Sequence, residues 1–133
     1  MTIIDPIADM FSRMHNSILN RTESVNIPYS KMLLEIAKIL KAEGFIRSFD
    51  IDDEISYKKI LKVNLKYDGS GKSVIAYMKK ISTSGRRVYA KKMKIAKVQN
   101  GFGINILSTS KGVMTGKSAR LNNVGGELLA LVY

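Results

Sequence analysis

The stretch Asp68-Gly69-Ser70-Gly71-Lys72 constrains this chain more than any other. A run of turn-forming residues with two glycines divides the 133 residues into two short segments. Neither segment is long enough for a large core, so the pattern predicts two small subdomains, 1–68 and 69–133. The charge changes at the same place. Residues 1–68 carry ten Lys/Arg and ten Asp/Glu, whereas residues 69–133 carry twelve Lys/Arg and a single acid, Glu127. The whole formal charge of +11 therefore belongs to the second segment. A hydrophobic share of 45% supports packed cores and argues against gross disorder.

Local patterning predicts an α+β fold. Asp5-Pro6 reads as an N-cap followed by proline at the first helical position, and Ile7, Met10, Phe11, Met14 and Ile18 then recur at helical spacing to about Leu19. Val25 and Ile27 suggest a short strand. Ser30 caps a second helix with the apolar face Leu33, Ile36, Ala37 and Leu40, which Gly44 ends. Phe45 to Ile51 and the alternation Leu61, Val63, Leu65, Tyr67 predict two strands. The first segment is thus helix, strand, helix, strand, strand. In the second, Val74 to Ile81 is β-prone, Ser82-Thr83-Ser84-Gly85 reads as a loop and Val88-Tyr89 as a short strand. A basic stretch over 91–98 and a turn at Asn100-Gly101 follow. Gly103 to Ser108 predicts a strand with Ile104 and Ile106 on one face. Thr115 caps a short helix over Gly116 to Leu121, and the apolar run Leu128 to Tyr133 predicts a buried strand. The second subdomain is therefore mainly β with one short helix.

Several chemistries are disfavoured by what is missing. With no cysteine, disulfides, thiolate nucleophiles and Cys-ligated zinc are out. The opening residues lack a basic region before an apolar run, so a secretory signal is not expected, and no uncharged apolar stretch approaches the ~20 residues of a membrane span. Gly71-Lys72-Ser73 resembles the tail of a phosphate-binding loop, but the first glycine of that motif would fall on Lys66. Gly101-Phe102-Gly103 lacks the third glycine of a dinucleotide fingerprint, which would fall on Ile106. The cluster Asp50, Asp52, Asp53 and Glu54 has no central glycine for a calcium loop and reads as a solvated turn. His15, the only histidine, lies beside the apolar stripe of the first helix and reads as a surface residue. No G-x-S-x-G element is present. Neither a metal, a cofactor nor a catalytic group is expected.

What remains is uncompensated positive charge. Lys79, Lys80, Arg86, Arg87, Lys91, Lys92, Lys94, Lys97, Lys111, Lys117 and Arg120 repel one another, and a polyanion would relieve that repulsion. An ordinary solvated face would mix both signs, as the first segment does, so nucleic acid is favoured. The segment Ser108-Thr109-Ser110-Lys111-Gly112 places three hydroxyls, a cation and a permissive glycine after a strand. Hydroxyls donate and accept, so they suit base edges, ribose hydroxyls and phosphates, though an ordinary polar loop has the same composition. Glu127 suits either a base amino group or, more simply, an ion pair with a neighbour. Gly125-Gly126 suggests close backbone approach. Tyr89, set among Arg86, Arg87, Lys91 and Lys92, suits stacking on a base and equally a core position.

The run from Gly103 to Thr115, with Ser108-Thr109-Ser110-Lys111-Gly112-Val113 at its centre, followed by Val124-Gly125-Gly126-Glu127, resembles the family of bacterial-type small-subunit ribosomal protein eight. Asp5-Pro6-Ile7-Ala8-Asp9-Met10 with Asn16, and Lys41-Ala42-Glu43-Gly44-Phe45-Ile46, resemble the family's first helix and second helix end, so the likeness spans essentially the whole chain. It implies two small α/β units packed together and direct binding to an irregular stem in the central domain of small-subunit rRNA. It also implies assembly of the platform beside other small-subunit proteins and, in some bacteria, repression of an mRNA carrying a similar stem. By the same resemblance the central contact maps to Ser108, Thr109 and Ser110. Gly126 and Glu127 map beside it, and Tyr89 lies near RNA. By looser analogy, the resemblance implies added contacts from the first subdomain around Asp5, Arg13, Ser30 and Lys31. His15 stands where the family usually has arginine, Ser84 where proline is usual, and Gly116 where aspartate is common. These departures touch outer contacts and leave the Ser-Thr-Ser element intact.

The reading is a non-enzymatic rRNA-binding constituent of the small subunit in a cytoplasmic ribosome, with organellar ribosomes left open. Lys and Arg neutralise phosphates, and the hydroxyl segment selects. Two rivals share parts of this case. A DNA-binding architectural protein would prefer duplex DNA over structured RNA. A phosphate-handling enzyme would show turnover.

Overall fold

In a computed structural model the chain is described over residues 5–53, 59–83, 85–90 and 103–133. Expectations at Glu54, at Ser84, over 91–98, and at Asn100-Gly101 lie outside those residues, and with them Lys91, Lys92, Lys94 and Lys97. The fold is α+β, in two compact units, Met1–Ile75 and Ala76–Tyr133.

The first unit begins with α1 (Pro6–Leu19), started by the Asp5 carboxylate, which accepts from the amide of Ala8 at 3.2 Å, and by Pro6 at a position that needs no donor. Strand β1 (Ser24–Pro28) follows, then α2 (Lys31–Ala42), capped by the Ser30 hydroxyl accepting from Leu33 N at 3.1 Å. Gly44, at φ +81°, ends α2. Phe45 N donates to Leu40 O at 2.8 Å and Gly44 N to Lys41 O at 3.1 Å, the paired bonds that a left-handed glycine makes possible at a helix C-terminus. Strands β2 (Ile46–Asp52) and β3 (Ile60–Leu65) complete an antiparallel sheet in the order β1-β3-β2. Ile7, Met10, Phe11 and Met14 of α1, Leu33, Ile36, Ala37 and Leu40 of α2, and Ile27, Ile46, Leu61, Val63 and Leu65 of the sheet are buried, as are Phe45 and Ile75. Each large side chain among them contributes about 1.5–3 kcal/mol by leaving water.

Asp68-Gly69-Ser70-Gly71-Lys72 belongs to this first unit. Tyr67 bridges Ser73, Val74 N donates to Lys66 O at 3.0 Å and Asp68 N to Lys72 O at 2.8 Å, so the stretch is a turn folding back onto the end of β3. The Asp68 carboxylate accepts from Ser70 N (2.9 Å), Ser70 Oγ (2.7 Å) and Lys72 N (3.0 Å), and these bonds hold its pKa below the ordinary value.

The second unit is a sheet in the order β4-β8-β6-β7, built from β4 (Met78–Lys80), β6 (Ile104–Thr109), β7 (Gly112–Thr115) and β8 (Gly126–Val132). A two-residue strand, β5 (Tyr89–Ala90), also pairs with β8. Since β6 occupies one edge of β8, β4 and β5 share the other in tandem, at Ala130–Val132 and at Gly126–Glu127 respectively. Helix α3 (Gly116–Leu121), capped by Thr115 Oγ1, lies against β6 and β7 and buries Ala119 with Leu107, Met114, Val124 and Leu128. The β-prone run from Val74 to Ile81 yields a strand only at Met78–Lys80. Val74 closes the preceding turn, and the amides of Ala76 and Tyr77 both donate to one carbonyl, that of Tyr133, which is incompatible with a ladder. The final apolar run becomes β8, which starts earlier and takes in Glu127.

Candidate nucleic-acid interface

The sequence grouped Ser108 to Gly112 as one loop, and the structure divides it. Ser108 and Thr109 are the last residues of β6 and pair with Val113 and Gly112 of β7, so the connection is Ser110-Lys111 alone, with Gly112 at φ +111°. A tight connection of this kind needs a positive φ beside it, which glycine supplies without strain. Thr109 is committed to holding the turn: its hydroxyl donates to Gly112 O at 2.8 Å and accepts from Lys111 N at 3.1 Å. Among the described residues nothing bonds the hydroxyls of Ser108 or Ser110. Ser110 and Lys111 are exposed at the tip, and Ser108 is half-buried on the strand.

Register then places the rest. Ser108 pairs with Glu127 of β8, and Glu127 pairs on its other side with Tyr89 of β5. Directly paired residues of an antiparallel ladder share a face, so Tyr89, Glu127, Ser108 and Val113 form one row across four strands. Leu128, Leu107 and Met114 form the adjacent row on the opposite face, the one α3 covers. Tyr89 is 70% exposed, which decides between the two positions the sequence allowed: its ring is available to stack.

Glu127 is engaged from the protein side. Its Oε2 accepts from Arg87 Nη1 at 3.2 Å and from Ser82 Oγ at 2.7 Å. The neighbour ion pair anticipated from the sequence is therefore present. Arg86, the preceding residue in sequence to Arg87, is exposed, and its backbone forms a two-bond bridge with Thr83. Gly126 shows the close approach foreseen at Gly125-Gly126, and the approaching group is the protein's own. A Cβ there would collide with the carbonyl oxygen of Ser108 and lie 2.9 Å from its carbon. The glycine is what lets β6 and β8 meet beneath the row.

The residues singled out in the first unit have local work. Asp5 and Ser30 are helix caps. Arg13 pairs with Asp9 at 2.8 Å, one helical turn back, and reaches Asn26 O at 3.5 Å. Lys31 is exposed at the first position of α2, a cation at the positive end of a helix with no acid in its first turn. His15 is exposed. Among the described residues no group of three His, Cys, Asp or Glu could hold a metal, and no helix is long and apolar enough to cross a membrane.

Sequence reading passed over Ser82, counting it only as part of a loop. It is fully buried and bonds both Glu127 and the Val88 amide. The one available signal was indirect: a lone acid among eleven cations in residues 76–133 needs partners, and a hydroxyl is one.

A two-unit α+β chain, nearly neutral in its first unit and strongly basic in a second built around an antiparallel sheet, is the class that fold and surface define. The chain belongs to the ribosomal protein S8 family, which it matches over residues 5–133. It is 54% identical over 129 residues to small ribosomal subunit protein uS8 of Mesoplasma florum, a match covering 97% of this chain and 98% of that one. It is 47% identical over 133 residues to the uS8 protein of Clostridioides difficile, and 48% identical over the same length to that of Dictyoglomus thermophilum, with all three chains covered in full. The resemblance drawn from the Ser-Thr-Ser segment and the first helix is thereby borne out, and the chain is a ribosomal protein rather than an enzyme.

Proposed function

We propose that this chain is a structural constituent of the small ribosomal subunit that binds small-subunit rRNA directly through its second unit. The observation that carries the reading is the row Tyr89–Glu127–Ser108, continued at the hairpin tip by Ser110 and Lys111, on a unit with eleven Lys/Arg and one acid. Exposed Arg86, Lys111 and Lys117 meet phosphates, while Lys92 joins them on the strength of the sequence alone. The free hydroxyls of Ser108 and Ser110 and the ring of Tyr89 meet an unstacked or irregular base, since regular A-form grooves offer side chains little to read. Thr109 and Gly112 act by shaping the tip, and Gly126 by letting the strands close. Lys31 at the start of α2 and Arg13 of α1 supply outer phosphate contacts, while Asp5 and Ser30 act through the helices they cap. The finer features rest on the family resemblance and belong to the same proposal: an irregular stem of the central domain, help in assembling the platform beside neighbouring proteins, and repression of a related mRNA stem, all in a cytoplasmic ribosome.

The test is a salt-series titration against a stem from the central domain of small-subunit rRNA, the same stem with its irregular bases paired, and a DNA duplex of equal length. Preference for the native stem, with a log–log slope of roughly −0.7 to −0.9 per phosphate contacted, is expected. Ser110→Ala should lose about tenfold on the native stem and little on the paired one, the order of one hydrogen bond to the nucleic acid. Lys111→Ala should weaken both alike and flatten the slope by about one contact. Equal binding to all three ligands would leave a charged surface without a reading role and would favour the architectural alternative.

A further inference from the structure

Ser82 stands where the chain leaves one edge of β8 and Val88 where it returns. On the outgoing side Ile81 N donates to Leu129 O at 2.9 Å, and on the returning side Leu128 N donates to Val88 O at 2.8 Å. Between them the chain loops away from the sheet, closed by the Thr83–Arg86 bridge. The Leu128 N–Val88 O bond and the Tyr89–Glu127 pairing hold the returning strand to β8, and a direct tie between the outgoing and returning residues would fix the join itself, and with it the position of Tyr89. The Ser82 hydroxyl is placed to do so. It accepts from Val88 N at 3.1 Å and spends its one proton on Glu127 Oε2 at 2.7 Å. It is fully buried, and its bond to a carboxylate is short and charge-assisted. The Arg87–Glu127 pair is a weaker tether, because the Arg87 side chain is 52% exposed and water screens it.

We propose that Ser82 is the positioning residue of the interface: one buried hydroxyl ties the returning strand and the Glu127 carboxylate together, and so sets both Tyr89 and Glu127 in the row that meets RNA. The inference rests on the RNA-binding reading above and deepens it. With Oε2 occupied by Ser82 and Arg87, no described residue bonds Oε1. That oxygen is left as a pure acceptor at the row. It suits the amino or imino N–H of a base edge and repels a phosphate in the same place. A surface that is otherwise cationic thus gains one point that selects base over backbone, and Ser82 decides which oxygen occupies it.

A double-mutant cycle between Ser82→Ala and Glu127→Gln tests this in the full-length protein. The readout is selectivity, the ratio of Kd for the stem with its irregular bases paired to Kd for the native stem. Each single variant should reduce selectivity roughly tenfold, the order expected when a hydrogen bond to a charged group is lost. The salt slope should stay unchanged, and the double variant should lose no more than the worse single one. Hydrogen exchange at the Val88 amide, followed without RNA, should accelerate in Ser82→Ala. If Ser82→Ala does not fold, Ser82→Cys, which keeps the volume and weakens the donor, replaces it in the cycle. A lowered Tm with selectivity intact, or losses that multiply in the double variant, would overturn the positioning role, since a merely structural serine gives those results. Absence of stem preference in the unmodified protein would instead sink the RNA reading itself. In that event unchanged Val88 exchange in Ser82→Ala would independently remove the clamp.

Discussion

The two units spend their polar side chains in opposite ways. In the first, nearly every polar group that drew notice serves the unit's own backbone: Asp5 and Ser30 cap helices, Asp68 gathers three donors into a turn, and the Tyr67 hydroxyl donates to Thr22 O at 2.7 Å. In the second, Thr109 and Ser82 do such work, yet the hydroxyls of Ser108 and Ser110 are without a partner among the described residues, and one acid faces eleven cations. A unit whose donors and acceptors are satisfied internally has little to offer a ligand. One that leaves them open, on a rigid sheet, carries a recognition surface at the expense of some self-repulsion. The comparison predicts that stability and binding separate by unit.

The sharpest way to break that separation is at Gly126, where the two demands coincide. Gly126→Ala forces a methyl against the Ser108 backbone, which cannot swing aside as a side chain would. A loss of about 3 kcal/mol is expected, the upper part of the range for overpacking, with Tm falling by more than ~10 °C and selective binding lost together. Thermal unfolding and a stem titration on one preparation would check it. An unaltered Tm would mean that β6 and β8 do not approach as described. A smaller effect should come from Ser30→Ala. Removing an N-cap costs ~1 kcal/mol, and chemical denaturation should show it while affinity for the native stem stays within about twofold. A marked loss of affinity with normal stability would make Ser30 a direct contact and blur the contrast between units.

The smallest effect concerns Asp68. Its folded pKa is lowered, first by the Ser70 hydroxyl and then by the backbone amides of Lys72 and Ser70. A lowered pKa means a contribution present above the ordinary carboxylate value and lost as pH falls through the lowered folded value. Asp68→Asn should therefore flatten the acid limb of stability below about pH 4 and leave neutral-pH RNA binding unchanged. Urea denaturation across that range is the measurement, and an identical acid limb in the variant would show that the turn adds nothing to folding.

How legible these features were depends on the range of the forces that make them. The caps at Asp5, Ser30 and Thr115, the end of α2 at Gly44, and the alternation through Leu61, Val63 and Leu65 are decided by residues a few positions apart, and the sequence displays them. The span of the Ser-Thr-Ser loop was misjudged because polar composition cannot reveal that Ser108 and Thr109 remain paired to β7. The β-prone stretch before Met78 failed for a similar reason: propensity was adequate, but the partner was the single residue Tyr133, whose carbonyl takes the amides of both Ala76 and Tyr77 and whose amide donates to Tyr77 O. Ser82 was invisible because its carboxylate partner lies 45 residues away. Glu127 was half legible: its sign demanded a partner among the basic residues, but Arg87 lies 40 residues away and could not be picked out from the others.

The order of strands carries a consequence in time. Strand β8 is made after every strand it joins, yet it is the one on which β4, β5 and β6 all register. A chain emerging residue by residue presents its first unit and all of its Lys and Arg residues, with no more of the described second sheet than the β6–β7 hairpin, before β8 exists. Non-local pairings of this kind are the slow part of folding. Until they form, the nascent protein can attract RNA by charge but has no row with which to choose among RNAs. Discrimination arrives as the last strand slots between those already waiting for it.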